Sequence, residues 1–296
     1  MKAHQITSLA TLFVVMTGAL WGFYWVPVRR LGELGLQGAW GTLAIVAVAT
    51  LLLTPVAYLR RAHLLGSNPV ALMSIALGGF AFALYSVGFL YGRVAIIAIL
   101  FFLTPVWSTL IGRYVMGWPT TWMRILALGV GLTGLFLILG SDGQLPIPSG
   151  LGEWLGLISG LLWSVATTGI RVKADTGPGE TAFLFAAGAF VGTLILAPVL
   201  EPMPALADLS DPGMVVGWTL AAGGLWWGLS MAALMWASAR LEPARVGILL
   251  MAEVLVGATS AAVFAGESLG PMELAGGLLV LCAGILEVWP QRSSVS

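Results

Sequence analysis

Charged residues are scarce in this chain, histidine occurs twice and cysteine once. Of 296 residues only 9% are Asp, Glu, Lys or Arg, and 59% are apolar, whereas soluble domains average about 25% charged and about 45–50% apolar. The lone Cys282 excludes an intramolecular disulfide, and His4 and His63 make no metal-ligand cluster, so neither a metal nor another cofactor is expected. No Gly-x-x-x-x-Gly-Lys-Ser/Thr motif is present, which excludes ATP hydrolysis by this chain. Net charge is zero and no basic stretch is interleaved with aromatics, so nucleic acid is not an expected partner. Paired carboxylates converging at one depth are also missing, which makes a multi-span membrane enzyme the remote alternative.

What is abundant is apolar sequence, with a mean hydropathy of +0.98. A spanning helix needs roughly 20 predominantly apolar residues. Ten such stretches can be read: about 8–28, 38–58, 70–91, 94–116, 122–140, 152–172, 179–199, 213–236, 245–264 and 270–289. Strand-like alternation is absent, so the expected class is an all-α integral membrane protein rather than a barrel. The first stretch exceeds the usual core of a secretion signal and is expected to stay attached. Lys and Arg favour the cytoplasmic side. With the N-terminus inside, that side receives Lys2, Arg60, Arg61, Arg113, Arg124, Arg171, Lys173, Arg240, Arg245 and Arg292, and the outer side only Arg29, Arg30 and Arg93. Both termini are therefore expected in the cytoplasm, with the chain multi-pass in a bacterial inner membrane.

The two halves repeat one another. Gly18, Leu20, Trp21, Arg29 and Gly35 recur 142 residues later as Gly160, Leu162, Trp163, Arg171 and Gly177. Gly78, Gly79 and Tyr91 correspond to Gly223, Gly224 and Trp236 at an offset of 145, and Thr104 and Gly117 to Glu253 and Gly266 at 149. Five spans per unit require the second copy to be inserted upside down, and inverted repeats mark transporters. The expected organisation is a first five-helix repeat over 1–140, a linker over 141–151, a second, inverted repeat over 152–289 and a cytoplasmic tail over 290–296. Two halves in one chain favour a monomer. Glycines four apart, such as Gly18 and Gly22 or Gly152, Gly156 and Gly160, permit close helix approach in lipid. They fit two roles, packing and sliding.

An ionisable residue at bilayer depth is a functional candidate by default. Glu253 lies eight residues after Arg245, about 12 Å along a helix, and its face continues through Gly257 and Ser260. The repeat-related face carries Phe101, Thr104 and Ser108. Two roles fit Glu253: a protonated carboxyl bonded to a neighbouring helix, or a proton-coupling or amine-binding carboxylate. Trp25, Trp40, Trp118, Trp122, Trp154, Trp218, Trp236 and Trp289 fall near span ends, where interfacial aromatics are expected. Trp21, Tyr85, Phe101, Phe102, Trp163 and Trp227 fall nearer mid-span. Trp227, Ser230 and Met231 share one helix face, and Trp163 and Thr167 another. As a set, with Thr104 and Ser108, they are expected to line a cavity for a flat or apolar small-molecule solute, with lipid around the outside.

Ten spans, the Trp21 and Trp163 pair, Thr104-Pro105 and Gly266-Glu267 resemble a drug/metabolite transporter of the EamA-domain type. The tract Leu139-Gly-Ser-Asp-Gly-Gln-Leu145 with Phe101-Phe-Leu-Thr-Pro105 resembles the branch exporting aromatic and other neutral amino acids (YddG-like). The resemblance implies a basket of ten helices, with helices one, three, four, six, eight and nine around a central cavity. It also implies outward movement of small metabolites, and a path lined by Trp163, Tyr85 and Phe101 to Thr104. Another flat metabolite or drug, such as a purine, nucleoside or cationic drug, is the alternative cargo. The chain departs from the pattern at Val254, where many relatives have Pro, and at Trp118, which stands opposite Glu267 of the second half. In a Cys282→Ala background, cysteines placed beside Lys2 and Arg292 are expected to react with an impermeant maleimide from the cytoplasmic face only. Labelling of the two from opposite faces would contradict the topology.

Overall fold

A computed structural model describes residues 3–119, 121–140, 147–173, 176–238, 240–241, 246 and 249–288. Most of the linker, the tail, Lys2, Arg245, Trp289 and Arg292 lie outside the described residues. All regular elements among the described residues are helical. In chain order they are α1 (Ala3–Gly22), α2 (Trp25–Glu33), α3 (Trp40–Leu59), α4 (Arg61–Gly66), α5 (Pro69–Tyr91), α6 (Val94–Phe101) and α7 (Thr104–Leu110). A π-helical turn (Ile111–Val115) follows, then α8 (Trp122–Leu139), α9 (Leu151–Lys173), α10 (Pro178–Leu200) and α11 (Pro212–Ala221). A second π segment (Ala222–Ser230) leads into α12 (Met231–Ser238), α13 (Ala252–Phe264) and α14 (Pro271–Val288).

Local chemistry sets several boundaries. Asn68 and Asp211 cap their helices through side-chain oxygens that accept from the amides of Val70 at 2.9 Å and Met214 at 3.0 Å. Each is followed by a proline at the first helical position, where its missing N–H costs nothing. Gly117 and Gly266, paired in sequence, both adopt a left-handed backbone, at φ 66° and 65°, which glycine tolerates without strain.

Among the described residues, six helical stretches are long and apolar enough to cross a membrane: Gln5–Glu33, Trp40–Leu59, Pro69–Tyr91, Val94–Val115, Trp122–Leu139 and Pro178–Leu200. Ala252–Phe264 and Pro271–Leu286 are shorter apolar helices, and α9, though 23 residues long, carries Glu153, Arg171 and Lys173. The chain is thus a multi-pass, all-α membrane protein. Its first apolar stretch bends at Phe23 and Tyr24, and its fourth breaks at Phe102 and Leu103, just ahead of Pro105, which cannot continue an upstream helix.

Helices α5 and α9 pack extensively, as do α8 with α14 and α10 with both α5 and α3; α1 lies on α13 and α12, and α6 on α9. Lipid supplies no hydrophobic reason for helices to associate, so close backbone approach does. A Cβ on Gly134 would meet the carbonyl oxygen of Gly276 at 2.6 Å, and one on Gly276 that of Gly134 at 2.6 Å. A Cβ on Gly79 would collide with the Phe185 carbonyl of α10, whereas one on Gly129 meets nothing within 4 Å. Gly79→Ala is therefore expected to destabilise the bundle by about 1–3 kcal/mol. Gly129→Ala is expected to leave it unchanged or slightly firmer. Thermal unfolding in detergent measures both, and equal midpoints would contradict this account of the α5–α10 contact.

Candidate functional site

Two helices restart in the interior of the bundle. After the break at Phe102 and Leu103, α7 begins at Thr104; after a turn at Met251, α13 begins at Ala252, with Glu253 in its first turn. Thr104 and Glu253 are repeat partners at the offset of 149. Membrane transporters place solute sites at such discontinuities, where backbone groups are free of the helical ladder.

Both breaks border one cavity of about 420 Å³, within the range of small-molecule pockets. It is lined by residues including Thr17, Trp21, Ile75, Phe82, Phe101, Phe102, Thr104, Trp163, Thr167, Phe185, Met231, Met251 and Glu253. Glu253 is the single charged residue among the described residues that line it, and it is buried. Phe82 is the hub of the aromatic wall. Its ring centroid lies 4.7 Å from Trp21, 5.4 Å from Phe101, 5.8 Å from Trp163 and 5.9 Å from Phe185. Most of these contacts are edge-to-face, the arrangement that ring quadrupoles favour.

Burial obliges each polar atom behind the wall to find a partner. The Trp21 indole N–H donates to Ser230 Oγ at 2.9 Å, and Ser230 Oγ donates to the Trp226 carbonyl. Trp227 Nε1 donates to Tyr24 Oη at 2.9 Å, which also accepts from Ser86 Oγ at 3.3 Å; Ser86 is joined to Thr42 at 2.8 Å. Tyr85 Oη donates to Glu253 Oε1 at 3.2 Å, and its ring stacks on Phe101 at 4.6 Å.

Of the residues expected to line a cavity, Trp21, Phe101, Phe102, Thr104, Trp163, Thr167, Met231 and Glu253 meet around this one. Tyr85, Trp227 and Ser230 stand behind it, buried and engaged in the bonds above. Ser108 lines a separate, smaller pocket. Trp25, expected at the interface, is instead buried and donates to Ser260 Oγ at 2.9 Å, because the bend at Phe23 and Tyr24 turns it inward. Phe82 and Phe185 also line the cavity, outside the expected set; Phe82 lies one turn before Tyr85 on α5, the one sequence signal for it.

The two ends of the bundle differ. At the end where α2 and α5 finish, Arg29 donates to Glu267 at 2.7 Å and to the carbonyls of Phe89 and Gly92. Glu267 also accepts from the Val94 amide at 3.0 Å, at the start of α6. Arg93 pairs with Glu273 at 2.6 Å, and Trp40 donates to the Glu201 carbonyl at 3.1 Å. The cavity extends toward the other end, to Ile170, Thr181 and Leu234. There the single contact of this kind among the described residues is His63 Nδ1 with Glu180 Oε1, at 3.4 Å.

Residues 8–140 match the EamA-like transporter family. A solved crystal structure, described only as that of a protein, is similar over 94% of this chain and 96% of its own, with a TM-score of 0.61 and 15% identity. At that identity the likeness concerns the fold alone. No curated protein matches the chain. The family match covers under half of the chain, and the family it matches is one of transporters.

Tyr24→Phe is expected to cost about 1–3 kcal/mol, because it strands the buried Trp227 N–H. Tyr114→Phe, at an exposed position, is expected to be neutral. Unfolding midpoints read by intrinsic fluorescence check the pair, and a neutral Tyr24→Phe would contradict the network.

Proposed function

We propose that the chain, whose residues 8–140 match the EamA-like transporter family, is a secondary transporter exporting aromatic and other neutral amino acids, such as threonine or methionine. Two inverted five-helix repeats, 1–140 and 152–289, alternate access to a site between them. The proposed unit is a monomer in the bacterial inner membrane, with both termini in the cytoplasm.

The observation carrying the substrate class is the aromatic cavity at two helix breaks with one carboxylate. A planar side chain fits against Phe82, Phe101 and Trp163, and the substrate's ammonium group against Glu253. The packing supports the inverted repeat. The contacts α3–α10 and α8–α14 join repeat partners, and α1–α13 is matched by α6–α9. So does the shared left-handed backbone of Gly117 and Gly266. The ion-paired end around Arg29 closes the proposed outer side, while the cavity extends toward the side where an exporter loads.

Proteoliposomes containing the chain are expected to take up labelled phenylalanine, threonine or methionine faster than protein-free vesicles. If none moves faster, the substrate proposal fails. Strong competition by purines, nucleosides or cationic drugs would transfer the cavity to those solutes. Glu253→Gln is expected to lower transport about tenfold or more, as loss of a charged hydrogen-bond partner does. Unchanged transport across pH would remove Glu253 from the mechanism.

A further inference from the structure

At the cavity end of the bundle, a second pocket of about 180 Å³ gathers three arginines. Arg113 comes from the π turn after α7, Arg124 from the first turn of α8 and Arg171 from the last turn of α9. Ser108, Thr109, Thr167 and Thr168 complete its hydroxyl lining, and no carboxylate lines it among the described residues. A cytoplasmic bias explains arginines at this end. It does not explain their convergence on one hollow, where like charges repel. None of the three is in an ion pair among the described residues. Thr109 supplies an independent sign: it is 5% exposed, and its hydroxyl has no hydrogen-bond partner.

The other half of the repeat shows what this arginine position holds when it is complete. Arg29, the partner of Arg171 at the offset of 142, grips the carboxylate of Glu267 at 2.7 Å. Glu267 follows Gly266, and its partner at the offset of 149, Trp118, follows Gly117; the two glycines share the same backbone conformation. Arg171 therefore meets an indole ring, 5.5 Å from its guanidinium carbon, where Arg29 meets a carboxylate. The ring accommodates the cation without neutralising it.

We infer that this pocket binds an oxyanion, a carboxylate or phosphate group, which takes the place by Arg171 that Glu267 fills by Arg29. The planar guanidinium accepts such a group through paired N–H donors. Arg113 and Arg124 complete the charge, and Thr109 donates the remaining hydrogen bond. The pocket shares Thr167 with the large cavity, so it is a neighbouring subsite. It stands whether or not the cavity carries amino acids.

The test is the binding of inorganic phosphate to the full chain in phosphatidylcholine nanodiscs, read as a rise in unfolding temperature. A saturable rise is expected for the native chain and for Arg60→Gln, an arginine of the same end outside the pocket. Arg171→Gln is expected to abolish it. Thr109→Val is expected to weaken apparent affinity about tenfold. Should Arg171→Gln fail to fold, Arg171→Lys keeps the charge and loses the fork, and is expected to weaken the response by a similar factor. Nanodiscs containing phosphatidylglycerol separate the sources. If that lipid alone raises the unfolding temperature through Arg171 and blocks phosphate, the anion is a headgroup; if phosphate still adds its effect, the anion is soluble. No response to either phosphate or phosphatidylglycerol overturns the site, as does a response that the Arg171 variants retain in full.

Discussion

The bilayer interior offers no water to a polar side chain, and the architecture follows from that constraint. A buried indole N–H or hydroxyl is favoured to find its partner within the protein, and behind the cavity wall the bonds that do this run between distant parts of the chain. Trp21 reaches Ser230, Trp25 reaches Ser260, Trp227 reaches Tyr24 and Tyr85 reaches Glu253. All four join a residue before position 140 to one after position 151. Tying the polar atoms back holds Trp21 and the rings behind it, and the cavity lining includes the rings of Trp21, Phe82, Phe101, Phe102, Trp163 and Phe185. A wall of this kind offers ring faces and edges to a flat solute. Glu253 is the one ionisable side chain on that wall among the described residues.

Close packing and open space divide the bundle unevenly. Around Arg29 and Glu267 the helix ends are bound by charge-assisted hydrogen bonds, including one to a free amide at the start of α6. At the opposite end the repeat-related position holds Trp118 near Arg171, a weaker and less directional contact. The bundle thus carries a strong closure at one end and a soft one at the other, and the cavity lies toward the soft end.

The all-helical class, the membrane setting and the pairing of Trp21 with Trp163 around one void were legible in composition and in the repeat. The inward-facing set was legible only in part. Most of these helices are apolar all round, so helical periodicity does not distinguish the face that meets a neighbour from the one that meets lipid. That is why Tyr85 and Trp227 were expected at the cavity surface and stand behind it, and why Phe82 and Phe185 were not singled out. The break before Thr104 had a signal in Pro105. The turn at Met251 and the two π segments had none, since no proline or glycine marks the first and the glycines of the second resemble packing glycines elsewhere. The Arg29–Glu267 pair depends on a helix meeting a loop across the bundle, which spacing alone does not encode.

The most direct measurement is a structure determined with bromophenylalanine, whose halogen locates the ring without ambiguity. The account predicts one bromine site within the aromatic wall formed by Trp21, Phe82, Phe101 and Trp163, with the ligand's amine toward Glu253. A bromine site only outside that wall, or a cavity occupied by side chains that close over it, would contradict the account.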